Sequence, residues 1–423
     1  MLLYRRGAVD AALKTLGIGT LYDWQKEVIQ CALQGQDIFL RAQTAGGKSL
    51  IYQLLAVAEA GRGLTLVFSP HRSLQKDQVM PLTARGVKAA WLNSDLSNKE
   101  RKEVLDNLSK YSLLYLAPEQ LSAHDLQKVL KTCNVERVVV DEAHVLPQMA
   151  PDFRPAYGEI GNIIHKLFRQ YPPQIIACTA TATKKEQKTI IESLGMNDPE
   201  IYTYPLRRDN LHLSAKRITV SRKCKSKKEK LEELLFHEVE ATLQEWNGKG
   251  SAIIYCPTVK RVELLKKWLS GRGWNVTAYT SKMTWKDRSK VQEQFMSGVR
   301  KIMVATNGFG LGINKENVHM VIHAGPPLTF SGYVQEIGRA GRDGKKSKCV
   351  LFYSDTEFHR NKRILMHSES KEAARNDLDG LEELKRFLSS PECLWTQIEK
   401  YYGQKSGGVC GHCCRCKAKA ARE

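Results

Sequence analysis

Asp37-Ile38-Phe39-Leu40-Arg41 runs through Ala42-Gln43 into Thr44-Ala45-Gly46-Gly47-Lys48-Ser49, and then into Leu50-Ile51-Tyr52-Gln53-Leu54-Leu55. The first piece is a short apolar run of the kind that makes a buried strand, and the last has helical spacing. Between them lies a glycine-rich turn closed by Lys-Ser. These are the parts of a phosphate-binding loop, because unpaired amides and the dipole at a helix N-terminus favour an anion. In that reading Lys48 adds positive charge at the β- and γ-phosphates, and Ser49 is placed to ligate magnesium. The usual pattern has glycine where this chain has Ala42, so a plain tight turn is the competing reading.

Outward from this loop, similar runs recur: Leu64-Thr65-Leu66-Val67-Phe68, Leu113-Leu114-Tyr115-Leu116, Val138-Val139-Val140 and Gln174-Ile175-Ile176-Ala177. Helical patterns separate them, which is how a parallel α/β sheet reads. The alternation breaks at residues 216–230, where Lys216, Arg217, Arg222, Lys223, Lys225, Lys227, Lys228 and Lys230 face one acid, Glu229. A solvated linker is expected there. Alternation resumes with Ser251-Ala252-Ile253-Ile254-Tyr255, Asn275-Val276-Thr277-Ala278-Tyr279, Lys301-Ile302-Met303-Val304-Ala305 and His319-Met320-Val321-Ile322. A second parallel unit is therefore expected over about 213–355, followed by a charged helical tail.

At roughly 150 residues per domain, 423 residues correspond to two or three domains. Lys plus Arg number 65 against 45 Asp plus Glu, a formal charge of +20. A chain this basic points to a polyanion, nucleic acid first, with a merely basic surface as the alternative. No apolar run approaches the roughly 18 residues of a membrane span, and the first residues form no signal peptide. Aromatics at 8% argue against disorder. A soluble intracellular protein is expected, with no membrane partner.

Val138-Val139-Val140 runs directly into Asp141-Glu142-Ala143-His144. Two carboxylates at the end of a strand suit phosphoryl transfer: the first acid holds magnesium and the second activates water. A solvated strand end would look similar. Of the eleven cysteines, Cys31, Cys133, Cys178, Cys224, Cys256 and Cys349 are scattered, whereas Cys393, Cys410, Cys413, Cys414 and Cys416 cluster. Clustering in a reducing compartment points to metal before disulfide. Cys393, Cys410, Cys413 and Cys416 have gaps of 17, 3 and 3, which lets four thiolates converge on a tetrahedral ion. His412 is an alternative ligand, and Cys414 has no place in the pattern.

The ordered motifs of the chain resemble those of superfamily 2 helicases, and specifically the RecQ family of DNA helicases. The resemblance covers about residues 20–417. It rests on Ser69-Pro70 with Ser73-Leu74 and Asp77-Gln78, Ala117-Pro118-Glu119-Gln120-Leu121, Asp141 to His144, Asp152-Phe153-Arg154-Pro155 and Thr179-Ala180-Thr181-Ala182. In the second half it rests on Ile254-Tyr255-Cys256, Val304-Ala305-Thr306 through Phe309-Gly310-Leu311-Gly312-Ile313, and Gln335-Glu336-Ile337-Gly338-Arg339-Ala340-Gly341-Arg342-Asp343-Gly344. The fold it implies is two tandem RecA-like parallel-sheet domains, residues 1–208 and 209–355, with a helical zinc-binding subdomain at 356–423.

The activity implied is ATP-dependent 3′-to-5′ DNA unwinding or translocation, with ATP, magnesium and zinc as cofactors and repair or recombination as the setting. Single-stranded and tailed or junction DNA are the implied partners, a monomer the expected state, and the cytoplasm or nucleoid the location if bacterial. Gln25 matches the adenine contact, and Thr44 to Ser49 the phosphate loop. Gln335, Arg339 and Arg342 complete the catalytic set; the two arginines, three apart on a helix, would face the γ-phosphate together. Ser69, Arg72, Asn93, Ser94 and Thr306 match positions touching the DNA backbone, and Phe153 and Arg154 the aromatic-rich loop that couples DNA to hydrolysis.

Some positions depart from the family. Leu21-Tyr22 replace Phe-Arg, so tyrosine stacking is expected in place of an arginine contact at adenine. Met149 and Pro151 replace a tryptophan and a histidine, which predicts weaker coupling. Ala45 stands for the first of three glycines and would cost about 1 kcal/mol at a positive φ. Asn314 replaces an aspartate. The seven residues after Cys416 leave no room for a winged helix, so weak unwinding is expected. An RNA helicase and a DNA-binding or strand-annealing accessory are the rival readings.

Overall fold

Branched and aromatic runs here form strands buried on both sides, because crossover helices cover each face of a parallel sheet. The structure is a computed structural model that describes all residues except 1, 45, 71, 150–154, 222–225, 247, 310–314, 367–370 and 423. Ala45, Pro151, Phe153, Arg154 and Asn314 therefore lie outside the described residues, as does the side chain of Met149. The chain divides into two compact units, Met1–Pro205 and Leu206–Glu423.

The first unit holds β1 (Ile38–Arg41), β2 (Leu64–Phe68), β3 (Ala89–Leu92), β4 (Leu113–Leu116), β5 (Val135–Val140), β6 (Gln174–Thr179) and β7 (Glu200–Thr203). Their order is β3-β4-β2-β5-β6-β1-β7, with parallel pairing throughout. Alternate residues serve opposite cores. Phe39, Val138 and Val140 join one with Ile160 and Ile190, while Ile38, Leu40 and Val139 join the other with Ile51 and Leu55. Strands β5, β6 and β1 are neighbours, so the segments leaving their C-terminal ends emerge side by side. Ligands in open α/β sheets bind at that edge.

The second unit holds β8 (Leu211–Arg217), β9 (Ser251–Tyr255), β10 (Val276–Tyr279), β11 (Ile302–Ala305), β12 (Val318–Ala324) and β13 (Ser347–Tyr353). Their order is β10-β11-β9-β12-β13-β8, again all parallel. The helices Asp355–Met366, Lys371–Ser389 and Leu394–Tyr401 follow. Phe358, Leu384, Phe387, Leu394 and Trp395 pack into one core with Leu211, Leu213, Phe330 and Tyr333, so this tail shares the hydrophobic core of the second sheet.

The linker expected at 216–230 is corrected by the structure. Lys216 and Arg217 end β8, where Lys216 Nζ lies 2.7 Å from Glu238. Lys227 to Lys230 open the helix Lys227–Trp246, which buries Leu231, Leu235, Phe236, Val239 and Leu243. The basic run is thus the solvent side of two regular elements, while residues 222–225 lie outside the description. Strands β3, β7, β8 and β13 had no sequence counterpart.

Candidate functional site

Helix Lys48–Ala58 starts from Gly47, whose φ of 80° lies in the left-handed region. Glycine is needed there twice over: the backbone is strained for other residues, and a Cβ would come within 2.6 Å of Gln25 Nε2. Lys48 is buried and donates to the carbonyls of Ala42 (3.1 Å) and Gln43 (3.2 Å), folding its ammonium back over the loop. Thr44, Gly46 and Ser49 are half-buried along the same turn. Gln25 is buried beside it; its Oε1 accepts from Tyr22 N–H at 3.0 Å, and its Nε2 makes long 3.4 Å contacts to Gly46 O and Gly47 O. The Tyr22 ring is 66% exposed next to this amide, free to meet a planar ligand.

Asp141 and Glu142 leave β5 between two neighbours. Asp141 N–H donates to Phe68 O of β2, and Ala143 N–H donates to Cys178 O of β6. Glu142 has φ 51°, an uncommon conformation for a residue with a Cβ, and its N–H is held by Asp141 Oδ1 at 2.9 Å. Burial, then the charge of Glu142, pushes the Asp141 carboxyl up to about 6, against the pull of Lys48. Two carboxylates crowded into a site with one lysine are electrostatically suited to a hard cation, and Asp141 with Ser49 offers oxygen ligands of that type. Tyr52, one turn past Ser49 and fully buried, donates its hydroxyl to Asp141 Oδ2 at 3.1 Å. Sequence reading missed Tyr52; its position three residues after Ser49, on the same helix face, was the available signal.

His144 Nδ1 lies 3.0 Å from Thr179 Oγ1 and 3.4 Å from Glu142. The Thr179 hydroxyl donates to Thr181 O at 2.9 Å, which leaves its oxygen to accept from His144. Burial holds His144 below its ordinary value despite Glu142, so the ring is neutral at neutral pH. A hydrogen-bonded path thus joins the acidic motif to Thr179-Ala180-Thr181.

Farther along the same sheet edge, Ser69 and Asn93 are buried. Among the described residues Ser69 Oγ has no partner, and Asn93 is used internally, its Nδ2 donating to Gln75 at 3.0 Å and its Oδ1 accepting from Asp95 N–H at 2.9 Å. Arg72 is about half exposed and bonds Ser94 Oγ (2.5 Å) and Asp95 (3.0 Å). Of this group Arg72 is the side chain best placed to meet a phosphate.

In the second unit Gln335 lies on helix Phe330–Ile337, but the arginines do not share a helix. The helix stops at Gly338, and Arg339 and Arg342 sit on the turns that follow, which corrects the helical expectation. Gly341 explains the break. Its φ is 57°, and a Cβ would lie 2.5 Å from Asn210 Nδ2 and 2.7 Å from Ser347 Oγ. Arg208 donates to Gly338 O at 3.1 Å and also bonds Gly341 O; Asn210 Nδ2 donates to Gly341 O at 2.8 Å. Neither residue stood out in the sequence. Tyr255 donates to Phe309 O at 3.2 Å, and its phenol is raised by burial against the nearby Arg339 guanidinium, which lowers it. Thr306 is half-buried just past β11.

The sulfurs of Cys393, Cys410, Cys413 and Cys416 all lie within 4.8 Å of one another. Three separations are 3.5 Å (Cys413–Cys416), 3.8 Å (Cys410–Cys416) and 3.9 Å (Cys393–Cys413). A tetrahedron of thiolates about 2.3 Å from zinc has edges of about 3.8 Å, whereas a disulfide needs about 2.05 Å. Cys410 N–H and Cys413 N–H donate to the sulfurs of Cys393 (3.3 Å) and Cys410 (3.2 Å), as suits thiolate acceptors. His412 is not in the group; its Nδ1 faces Cys410 O at 2.7 Å. Cys414, which had no place in the spacing, accepts from Ala215 N–H at 3.4 Å and so tethers the cluster to edge strand β8.

Residues 22–190 match the DEAD/DEAH box helicase family, and residues 226–344 match the helicase conserved C-terminal domain. The chain is 37% identical over 338 residues to the ATP-dependent DNA helicase RecQ of Synechocystis sp., covering 78% of this chain and 67% of that protein. It is 32% identical over 414 residues to the ATP-dependent DNA helicase RecQ of Pasteurella multocida, covering 97% of this chain and 62% of that one. Against three such curated relatives the chain spans 60–63% of their length. Among solved structures, Mss116p bound to ssRNA and AMP-PNP matches with TM-score 0.68 at 18% identity, over 94% of this chain and 88% of that one. The DUF1998 helicase MrfA bound to DNA matches with TM-score 0.66 at 19% identity, over 87% and 50%. These two establish a shared fold.

Proposed function

The chain belongs to the RecQ family of helicases, and from that premise we propose that it is a DNA-stimulated ATPase that moves 3′ to 5′ on single-stranded DNA and unwinds tailed or junction duplexes. The observation that carries this reading is the Asp141–Glu142 pair, stitched between β2 and β6 beside Lys48, with Glu142 in a strained backbone and Asp141 held by Tyr52.

In this proposal the loop amides from Thr44 to Ser49 and Lys48 bind the phosphates of ATP, and Gln25 and Tyr22 meet the adenine. Ser49 and Asp141 would hold magnesium, which when bound neutralises phosphate charge. Glu142 orients and deprotonates the attacking water. Gln335, Arg339 and Arg342 serve the hydrolysing state, the arginines countering charge on the transferring phosphoryl group. The neutral His144 passes the state of the acidic motif to Thr179. Arg72 and Thr306 hold DNA phosphates without reading sequence, while Phe153 and Arg154 couple DNA to turnover. Cys393, Cys410, Cys413 and Cys416 would hold a structural zinc. Repair or recombination is the setting this activity suits.

The test is ATP turnover with single-stranded DNA, with single-stranded RNA and with neither. DNA-preferred stimulation, abolished by Lys48→Ala, supports the reading. RNA-preferred turnover would overturn the DNA assignment, and DNA binding without any turnover would make the protein a binding or annealing accessory. Displacement of a strand from 3′-tailed and 5′-tailed duplexes then tests polarity.

A further inference from the structure

Six of the seven tryptophans are buried or half-buried. Most have evident employment: Trp24 packs on Tyr204, Trp268 lies under Arg272, and Trp246, Trp274 and Trp395 donate their indole N–H groups. Trp285 is the exception. Its side chain is 72% exposed and makes no hydrogen bond, ring contact or cation–π contact with the described residues. Single exposed apolar side chains are common, so it is the cations around this ring and its place at a strand edge that make it informative.

Tyr279, the last residue of β10, pairs with Ala305, the last of β11. The segment leading to Trp285 and the segment starting at Thr306 therefore leave the sheet at the same edge. Trp285 opens helix Trp285–Met296, and Thr284 fixes that start by accepting from Asp287 N–H at 3.2 Å. The ring thus projects from an anchored backbone rather than from a loose loop. Around it Lys282 and Lys286 are exposed, with no ion pair among the described residues, and Arg288, one helical turn on, has an Nε unpartnered among them. The one acid among them, Asp287, is engaged by the Thr284 hydroxyl at 2.7 Å.

We propose that Trp285 is a base-stacking platform for single-stranded DNA, with Lys282, Lys286 and Arg288 attracting the backbone beside it. The inference rests on the DNA reading above and adds a base contact to it. Aromatic faces stack on any base, and cations beside them hold the phosphates, so the pair gives affinity with little sequence preference. A protein partner fits less well, because the sequence neighbours of the ring are mostly charged or polar (Lys282, Thr284, Lys286, Asp287, Arg288 and Ser289), with Met283 half-buried.

The experiment uses the full chain, a short fluorescent oligothymidylate and an abasic strand of the same length. Trp285→Ala should weaken oligothymidylate binding by about 5- to 150-fold, with the abasic strand much less affected. Trp285→Phe should retain most of the affinity while losing part of the fluorescence quenching that oligothymidylate causes. An unchanged thermal midpoint in Trp285→Ala excludes misfolding as the cause. Equal weakening for both strands, or none for either, overturns the stacking role. DNA-stimulated turnover of the wild-type chain separates the two levels: if it is present while Trp285→Ala binds normally, only this inference fails. If the wild type neither binds DNA nor responds to it, the parent reading fails too.

Discussion

Replacing Tyr52 with phenylalanine removes one atom from the candidate metal site. The ring is fully buried and lies edge-on to Tyr115 at 6.5 Å, and phenylalanine keeps that packing. What is lost is the 3.1 Å bond from the hydroxyl to Asp141 Oδ2. Asp141 Oδ1 keeps its bond to Glu142 N–H, so the carboxylate stays attached at one oxygen and gains freedom to rotate at the other. A hydrogen bond to a charged acceptor contributes about 1.5–3 kcal/mol. At 1.36 kcal/mol per tenfold, that is a factor of about 10–160. Partners that orient metal ligands typically contribute about 10–100-fold to metal affinity. Both routes predict that Tyr52→Phe raises the magnesium concentration for half-maximal ATPase by about 10–100-fold, with turnover at saturating magnesium largely kept.

Titrating magnesium in the DNA-stimulated ATPase assay reads this shift, and manganese binding followed by electron paramagnetic resonance with ADP present reads it without turnover. Tyr115→Phe is the matched control. Its hydroxyl accepts from Gln53 Nε2 at 2.9 Å, whereas the bond to Asp141 Oδ2 is made by Tyr52, so the magnesium midpoint should stay put. An unmoved midpoint in Tyr52→Phe, or the same shift in both variants, would refute the positioning argument. Lost turnover at saturating magnesium would instead assign Tyr52 to folding or chemistry.

Arg339→Ala should leave nucleotide affinity near wild type while lowering turnover by about 10³–10⁵-fold, the range for a phosphate-facing arginine; parallel losses in binding and rate would argue for a structural role. Cys413→Ser should abolish stoichiometric zinc and open residues 390–420 to protease, whereas Cys414→Ser should keep the metal and loosen only the contact to Ala215. Metal content and limited proteolysis report both. Asp377 is raised by burial above its ordinary 3.8. A raised carboxyl contributes most stability when protonated and loses it as pH rises through the folded value, so Asp377→Asn should raise the denaturation midpoint at neutral pH. That advantage should vanish on acidification below about 3.8, and an advantage independent of pH would sink the argument.

The local structure of several contiguous stretches was legible in the sequence, though not the turn that carries Arg339 and Arg342. The β1-loop-helix unit, the Asp-Glu-Ala-His strand end and the cysteine spacing all took the geometry their residue types imply. Weak elements were harder. Ala89-Ala90-Trp91-Leu92 is short and half small residues, and β7 is a mostly exposed edge strand, so neither carries a strong apolar period. Strand β8 was hidden by its ending in Lys216 and Arg217, whose charges point off the sheet toward Glu238 and Asp355.

The supporting residues were illegible for a different reason. Arg208 and Asn210 bond carbonyls 130 and 131 positions away, at Gly338 and Gly341, and no local pattern announces such a bond. Yet those bonds fix the backbone at the two glycines between and beside the arginines. Gly338 ends the helix, and Gly341 turns the chain where a side chain would strike Asn210 and Ser347. The arginine pair is therefore presented by a turn clamped from outside. A helix would have set Arg339 and Arg342 in one fixed direction, whereas here Arg208 and Asn210 set it, so the direction of the guanidiniums depends on residues that carry no chemistry themselves. Tyr52 stands in the same relation to Asp141. In each unit taken by itself, the groups expected to react are named by motif, and the groups that aim them are found only once the chain is folded.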